Sequence, residues 1–243
     1  MKVLIGLPAF NEETGIANVL ESIRRYRNCS RYSIEVLVVN DGSTDQTGQI
    51  VLNFANSYDF VKMIDHEGNK GLGEAIKTIL RYTIDNMEDQ DILVTMDADN
   101  THSPLLIESM IGSLISHDLD LVVASRFTDG GCELGLKVLR KLYSRGAMCF
   151  FKIFFPIKNL NDYSSGFRAY RVRIIRQAQE RWIDLITTNG FDCMAEIAAR
   201  FSRMGIKAGE VPLILNYGLK EGASKMKVAR TVKGYFSLLA KVR

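Results

Sequence analysis

The chain is short of the features that mark several whole classes of protein. Its four cysteines, Cys29, Cys132, Cys149 and Cys193, are widely scattered with no Cys-x-x-Cys pair. That spacing excludes a disulfide-stapled scaffold or a zinc knuckle and fits free thiols in a reducing compartment. The three histidines, His66, His102 and His117, stand at no metal-ligand spacing. No apolar run approaches the roughly 18 residues of a membrane-spanning helix. A net charge of +3 lacks the basic bias of a dedicated nucleic-acid binder, so no nucleic acid is expected as a partner. Low-complexity linkers and internal repeats are missing as well.

What remains is a chain of 243 residues and 47% hydrophobic content, enough to bury the core of one large domain. Lys2-Val3-Leu4-Ile5-Gly6-Leu7-Pro8 reads as a first strand and lacks the cleavage region of a leader, which makes a cytoplasmic protein the expectation. Buried-type strands are predicted at residues 2–8, 34–39, 60–64, 91–96 and 119–124, with helical patterns at 13–27, 44–57, 73–86 and 104–116 between them. This alternation implies an α/β fold with a doubly wound, mostly parallel sheet, whose ligand crevice lies at the carboxyl ends of its strands. Polar clusters fall at those ends: Pro8 to Glu12, Asn40 to Ser43, and Asp97 to Thr101. Ser43 or Thr44 is a candidate cap for the second helix, and Ser103-Pro104 places Pro at a first helical position.

The most informative run is Val94-Thr95-Met96-Asp97-Ala98-Asp99-Asn100-Thr101, an apolar strand driving into two carboxylates. Hard oxygen ligands of this kind suit Mg²⁺ or Mn²⁺ shared with substrate phosphates, although Asp and Asn are equally at home in a plain strand-to-loop turn. Gly68-Asn69-Lys70-Gly71-Leu72-Gly73 is either a loop that lets a ligand approach the backbone or a helix entry using Gly for geometry. It is neither a dinucleotide fingerprint nor a phosphate-binding P-loop.

After residue 125 the alternation breaks. Residues 133–155 carry Lys137, Arg140, Lys141 and Arg145 and then the aromatic run Phe150-Phe151-Lys152-Ile153-Phe154-Phe155. Residues 228–243 place Val228, Val232, Phe236 and Leu239 near helical spacing among Arg230, Lys233 and Lys241. Each segment also reads as a helix of the domain with a solvated cationic face; together they favour a membrane surface.

The ordered set PAFNE (8–12), NDGSTDQT (40–47), GNKGLGEA (68–75), MDADNTHSP (96–104), ASRF (124–127), DYSSGFRAYR (162–171), NGFDCMAE (189–196) and EGASKMK (221–227) resembles family 2 glycosyltransferases of the GT-A fold, and among them the polyprenyl-phosphate sugar transferases. The resemblance covers residues 1–227, a nucleotide-sugar half at 1–125 and an acceptor half with a closing loop at 126–227, followed by the basic amphipathic segment 228–243. It implies an inverting transfer of a hexose from a nucleotide diphosphate sugar, of the GDP-mannose or UDP-glucose type, to a polyprenyl phosphate at the cytoplasmic membrane face. An integral-membrane partner is compatible with it.

Residue by residue, the resemblance places Pro8, Phe10 and Glu12 along the nucleoside, with Phe10 where Tyr is frequent. Asp41 would accept from the base ring N–H, while Asn40 stands where Asp is more usual. Lys70 would flank the nucleotide, and Asp97, Ala98 and Asp99 would meet the donor. Asp97 and Asp99 would hold the metal, with Thr101 as a further polar ligand. Arg126 falls on the diphosphate side, Arg140 and Ser144 near the acceptor phosphate, and Lys225 in the closing loop. Leu219 replaces an Arg found in relatives, leaving Lys220 to supply point charge without a bidentate fork.

Chemically, a departing nucleoside diphosphate needs stabilising charge, which a divalent ion on Asp97 and Asp99, together with Arg126 and Lys225, would supply. A phosphate acceptor is already an oxyanion and needs no strong base. A hydroxyl acceptor would need one, with Asp162 preferred over Glu196 and Asp192. Asp162 has an orienting or a basic role, or caps the turn before Ser164. His102 reads as a loop stabiliser, Trp182 as a packing residue, and Arg168 and Arg171 as the exposed face of a strand. Glu196, on an apolar helix, requires a cationic partner or a site role. Two rival readings remain: transfer to a soluble or glycan hydroxyl, and a non-catalytic Mg²⁺-binding signalling domain.

Overall fold

Short runs of Val, Ile and Leu, bounded by turn residues, form strands whose two faces are both buried. A computed structural model describes residues 1–135, 138–216 and 228–242. Strands β1 (Lys2–Ala9), β2 (Ser33–Asn40), β3 (Val61–Asp65), β4 (Ile92–Thr95) and β5 (Leu121–Ser125) alternate with helices α1 (Ile16–Cys29), α2 (Thr47–Ser57), α3 (Leu72–Asn86) and α4 (Leu106–Ser116). There follow β6 (Cys132–Leu134), α5 (Val138–Phe154), β7 (Arg168–Arg171), α6 (Val172–Arg181), α7 (Cys193–Ser202), β8 (Ala208–Pro212), β9 (Ile214–Asn216) and α8 (Val228–Lys241).

The main sheet has the order β3-β2-β1-β4-β7-β5-β8. Its pairings are parallel except at β7, which runs antiparallel to β4 and β5. A separate parallel pair joins β6 to β9. Alternate side chains of each strand feed opposite faces. Leu4, Leu37, Val39 and Leu93 pack with α3, α6 and α7 on one side, whereas Val3, Ile5, Val36, Val38 and Val94 pack with α1 and α4 on the other. Gly6 is needed where α3 crosses β1, since a Cβ there would lie 2.5 Å from the Ile79 side chain.

Register brings the strand exits level: Ala9 pairs with Asn40, Gly6 with Thr95, and the Met96 N–H then bonds to the Gly6 carbonyl. Two exits turn at asparagines in the left-handed region, Asn11 (φ 51°) and Asn100 (φ 62°). Asn tolerates that conformation better than most side chains.

Several local expectations are corrected. Helix α2 begins at Thr47, whose N–H bonds to Asp45 Oδ1, whereas Ser43 Oγ accepts from the Asn11 N–H and ties two strand exits together. Pro104 belongs to a turn ahead of α4 rather than to its first position. Arg168 is not on an exposed face. It is fully buried and donates to the carbonyls of Ser165 (2.7 Å), Met194 (2.8 Å) and Tyr163 (2.7 Å). Arg171 likewise donates to the Leu119 carbonyl. A central β7 paired on both sides leaves Arg168 no solvent face, while Arg171, at the strand's end, is half-buried.

Candidate functional site

Two joined cavities open at the carboxyl ends of β1, β2 and β4. The outer one, about 570 Å³, is walled by Pro8, Phe10 and Glu12 from the β1 exit, by Asp41 beyond β2, by Lys70 and Gly71 of the glycine run, by Asp97, Ala98 and Asp99, and by Asn189 to Asp192. The inner one, about 180 Å³, is lined by Arg126, Ser164 to Gly166, Tyr143, Ser144 and Ala147 of α5, and Thr231, Val232 and Tyr235 of α8. Asp97 and Asp99 belong to both walls. A ligand spanning the two cavities would therefore pass the carboxylate pair at its middle.

The loops of the outer cavity are held from beneath. Asp41, almost fully buried, accepts from the N–H groups of Lys70 (3.0 Å) and Gly71 (2.8 Å) and from His66 Nδ1 (2.7 Å). Asn40 is outside the cavity wall; its amide donates to Asp65 Oδ1 at 2.7 Å and its oxygen accepts from the Ser43 N–H. The opposite lip, residues 187–190, hangs on Glu196, which accepts from the N–H and hydroxyl groups of both Thr187 and Thr188 and from Arg200 at 2.9 Å. Burial alone would raise the Glu196 pKa, but the Thr187 N–H and the Arg200 guanidinium hold it below the usual carboxylate value. The two lips meet where Gly73 N–H donates to the Asn189 carbonyl, an approach so close that a Cβ on Gly73 would lie 1.9 Å from the Thr188 oxygen.

At the shared wall, Thr101 donates through its hydroxyl (2.6 Å) and its N–H (3.2 Å) to Asp99 Oδ1. Thr101 thus orients Asp99. The Asp97 N–H points to His102 Nδ1 at 3.4 Å, and the His102 ring stacks on Phe167 with centroids 5.0 Å apart, which gives His102 the loop-holding place expected of it. Among the described residues no cluster of three or more His, Cys, Asp or Glu side chains forms a metal cage. Two carboxylates on one cavity wall do fit a hard divalent cation that completes its coordination with substrate phosphates.

A family model described as Glycosyl transferase family 2 matches residues 4–178. The chain belongs to that family. An undecaprenyl-phosphate mannosyltransferase of Micrococcus luteus is 30% identical over 88% of this chain and 83% of its own length. A dolichol-phosphate mannosyltransferase of Pyrococcus furiosus is 29% identical over 93% of this chain, which spans 60% of that relative. Among solved structures, glucosyl-3-phosphoglycerate synthase from Mycobacterium tuberculosis, in complex with Mn²⁺, UDP and phosphoglyceric acid, superposes with a TM-score of 0.69 over 98% of this chain and 78% of its own, at 20% identity. That likeness is one of fold, the mostly parallel GT-A type of sheet. The protein is thus a glycosyltransferase, and the reading as a non-catalytic signalling domain falls.

On the inner side of this glycosyltransferase, Arg126 is clamped. Its Nε and Nη2 each lie 2.7 Å from an oxygen of Asp162, Nη2 also donates to Ser164 Oγ at 2.7 Å, and Nη1 reaches Glu133 at 3.1 Å. Asp162 has no exposed surface and no share of the cavity wall. Burial would raise its pKa, yet the Arg126 charge and the hydrogen bonds from Arg126 and Ser164 outweigh that and lower it. A buried, paired carboxylate of lowered pKa is a poor base. Asp162 thus holds the Arg126 side chain from behind the cavity wall, the orienting of the two roles expected of it.

Ser144 reaches the inner wall, whereas the Arg140 side chain, Lys220 and Lys225 lie outside the described residues. Sequence reasoning missed Glu133, which has no motif around it, and the contributions of Tyr143, Thr231 and Tyr235, which come from helices far along the chain. It weighed His66 only as a less attractive base, whereas the structure sets its ring against Asp41.

Proposed function

We propose that the protein transfers a hexose from a nucleotide diphosphate sugar to a polyprenyl phosphate. The observation that carries this reading is the pair of cavities sharing Asp97 and Asp99. The outer cavity, about 570 Å³, would take a nucleotide with its diphosphate at the carboxylates, and the inner one an acceptor from the other side. Asp97 and Asp99 would hold Mg²⁺ or Mn²⁺, which neutralises charge on the departing diphosphate when bound. Arg126, fixed in one orientation by Asp162 and Ser164, presents a preorganised cation toward the transferred group. Ser144 offers a hydroxyl to the acceptor phosphate, with Arg140, Lys220 and Lys225 the further cations of the reading. A phosphate oxyanion attacks without prior deprotonation.

The acceptor side also supports a lipid. Tyr143 and Ala147 of α5 and Val232 of α8 line the inner cavity, and the seam between these helices continues outward through Phe150, which packs on Phe154 (4.9 Å between centroids) and Phe236 (5.2 Å). Both helices bury one face, through Phe151, Tyr235 and Leu238, yet leave Ile153, Phe154, Phe236 and Leu239 exposed beside Lys152 and Lys241. Apolar side chains rimmed by cations suit the interface of an anionic bilayer. Among the described residues no helix is long and apolar enough to cross a membrane, so the proposed association is peripheral, at the cytoplasmic face. The names of the two mannosyltransferase relatives point to the same acceptor class.

Of the bases that a hydroxyl acceptor would require, Asp162 and Glu196 are buried and fully engaged, and Asp192 lies on the outer wall. The lipid-phosphate reading is tested by incubating the protein with Mg²⁺ or Mn²⁺, labelled GDP-mannose or UDP-glucose, and undecaprenyl or dolichyl phosphate. A labelled lipid product is expected. Product with hydroxyl acceptors but with no lipid phosphate would overturn it.

A further inference from the structure

His66 directly follows β3, and its N–H extends the β2–β3 ladder by bonding to the Asn40 carbonyl at 2.9 Å. Its ring is buried between the end of β2 and α3, with Nδ1 2.7 Å from Asp41 Oδ1 and Nε2 2.9 Å from Thr78 Oγ1. An ionised carboxylate can only accept, so Nδ1 carries the hydrogen and donates. Asp41 Oδ1 also accepts from the Lys70 N–H, while Oδ2 accepts from the Gly71 N–H. Each carboxylate oxygen offers about two lone-pair positions. Oδ1 is therefore filled and Oδ2 keeps one position, with no further donor on it among the described residues. Asp41 and Lys70 stand on the outer cavity wall, which Asp97 and Asp99 share with the inner cavity. With the diphosphate at those carboxylates, the base of the nucleotide falls toward Asp41.

We infer that this end of the cavity selects a uracil nucleotide over a guanine nucleotide, and that His66 is the positioning residue that sets the choice. The inference rests on the nucleotide-sugar reading above. Uracil presents one ring N–H between two carbonyls, which a single free position on Oδ2 satisfies. Guanine presents a ring N–H and an exocyclic amine side by side, a pair that a carboxylate receives with both oxygens. With Oδ1 occupied by His66 and Lys70, the second guanine donor loses its partner on Asp41, and an unsatisfied donor in a closed site weakens binding by roughly ten- to a hundredfold. Phe10, on the same wall, offers a stacking face to either base.

Calorimetric titration of the full chain with UDP and with GDP, each in the presence of Mn²⁺, tests this directly. UDP is expected to bind at least tenfold more tightly. His66→Ala, which empties one position on Oδ1, is expected to weaken UDP and narrow the UDP-to-GDP ratio; His66→Asn, with an amide N–H near the place of Nδ1–H, is expected to keep the ratio. That ratio is a readout that general loss of stability does not move. Equal or tighter GDP binding by the natural chain would overturn the inference and leave the nucleotide-sugar reading standing, whereas binding of neither nucleotide would overturn both. An unchanged ratio in folded His66→Ala would remove His66 from the choice. Should His66→Ala not fold, the natural chain decides the uracil preference, and His66→Phe, which fills the space without a ring N–H, decides the part of His66: a narrowed ratio is expected, and an unchanged one would remove His66 from the choice.

Discussion

The two cavities hold their polar groups by different means. On the wall of the outer one, Asp41 accepts from the N–H groups of Lys70 and Gly71 and from His66, and Asp99 accepts from Thr101. Around the inner one, charge is set against charge, with Arg126 between Asp162 and Glu133. A carboxylate held by amides keeps its charge for a cation. An arginine between two carboxylates is rigid but largely neutralised, so an incoming phosphate must compete with Glu133 for it. On the proposed function, the outer side would gather a metal and its diphosphate, while the inner side fixes one cation in place.

The largest effect expected is on the shared wall. Asp99→Ala should lower turnover by about 10²- to 10³-fold, in the range of lost transition-state charge stabilisation, with a melting transition close to that of the natural chain. Near-normal turnover would remove Asp99 from the chemistry. On the inner side, Asp162→Ala removes the bidentate partner of a nearly buried guanidinium and leaves it Glu133 and Ser164, which should cost about 3 kcal/mol in urea unfolding. A loss under about 0.5 kcal/mol, the usual range for a surface substitution, would show that the clamp is not structural.

The same contrast has a pH signature. Asp162 and Glu196 both have folded-state pKa values below their unfolded ones. Their contribution is fully present above the unfolded carboxylate range, near pH 4, and is lost as pH falls through the lower folded values. Acid unfolding of Asp162→Asn should therefore be less steep in that window than that of the natural chain. Parallel curves would contradict the pairing.

Smaller effects should separate the two sides. Gly73→Ala drives a Cβ into the Thr188 carbonyl, a form of overpacking that costs about 1–3 kcal/mol. Its kinetic penalty should fall on the KM for the donor and spare that for the acceptor. Phe236→Ser, at an exposed position on α8, should change stability by no more than about 0.5 kcal/mol. Its expected loss is severalfold in sedimentation with anionic liposomes. Unchanged sedimentation would remove α8 from the membrane face.

Much of the outer cavity was legible because its parts are local. A strand of Ile92-Leu93-Val94-Thr95 followed by Asp97 and Asp99 announces both the element and the polar exit, and the parallel register then brings Pro8, Asp41 and Asp97 to one level. The antiparallel insertion of β7 was not legible. Arg168 and Arg171 sit among apolar residues as in an edge or surface strand, and only pairing on both sides, with β4 and β5, buries Arg168. The same limit applied to α8. Its expected apolar face included Phe236 and Leu239, which the structure leaves exposed, while Tyr235 and Leu238 pack inward. Both stripes are apolar, so periodicity could not choose between them.

By itself the sequence determined the alternating α/β order, the polar strand exits and the family, because each depends on residues close in the chain or on an ordered set of short motifs. The tertiary structure alone decided that Asp162 stands behind Arg126 rather than on the cavity wall, that Glu133 completes the clamp, and that His66 fills one oxygen of Asp41. Each of these rests on which lone pair or donor is already taken by a group from another element. Hydrogen-bond capacity is used up in space, across 36 residues for Asp162 and Arg126 and 25 for His66 and Asp41, and no local pattern records it.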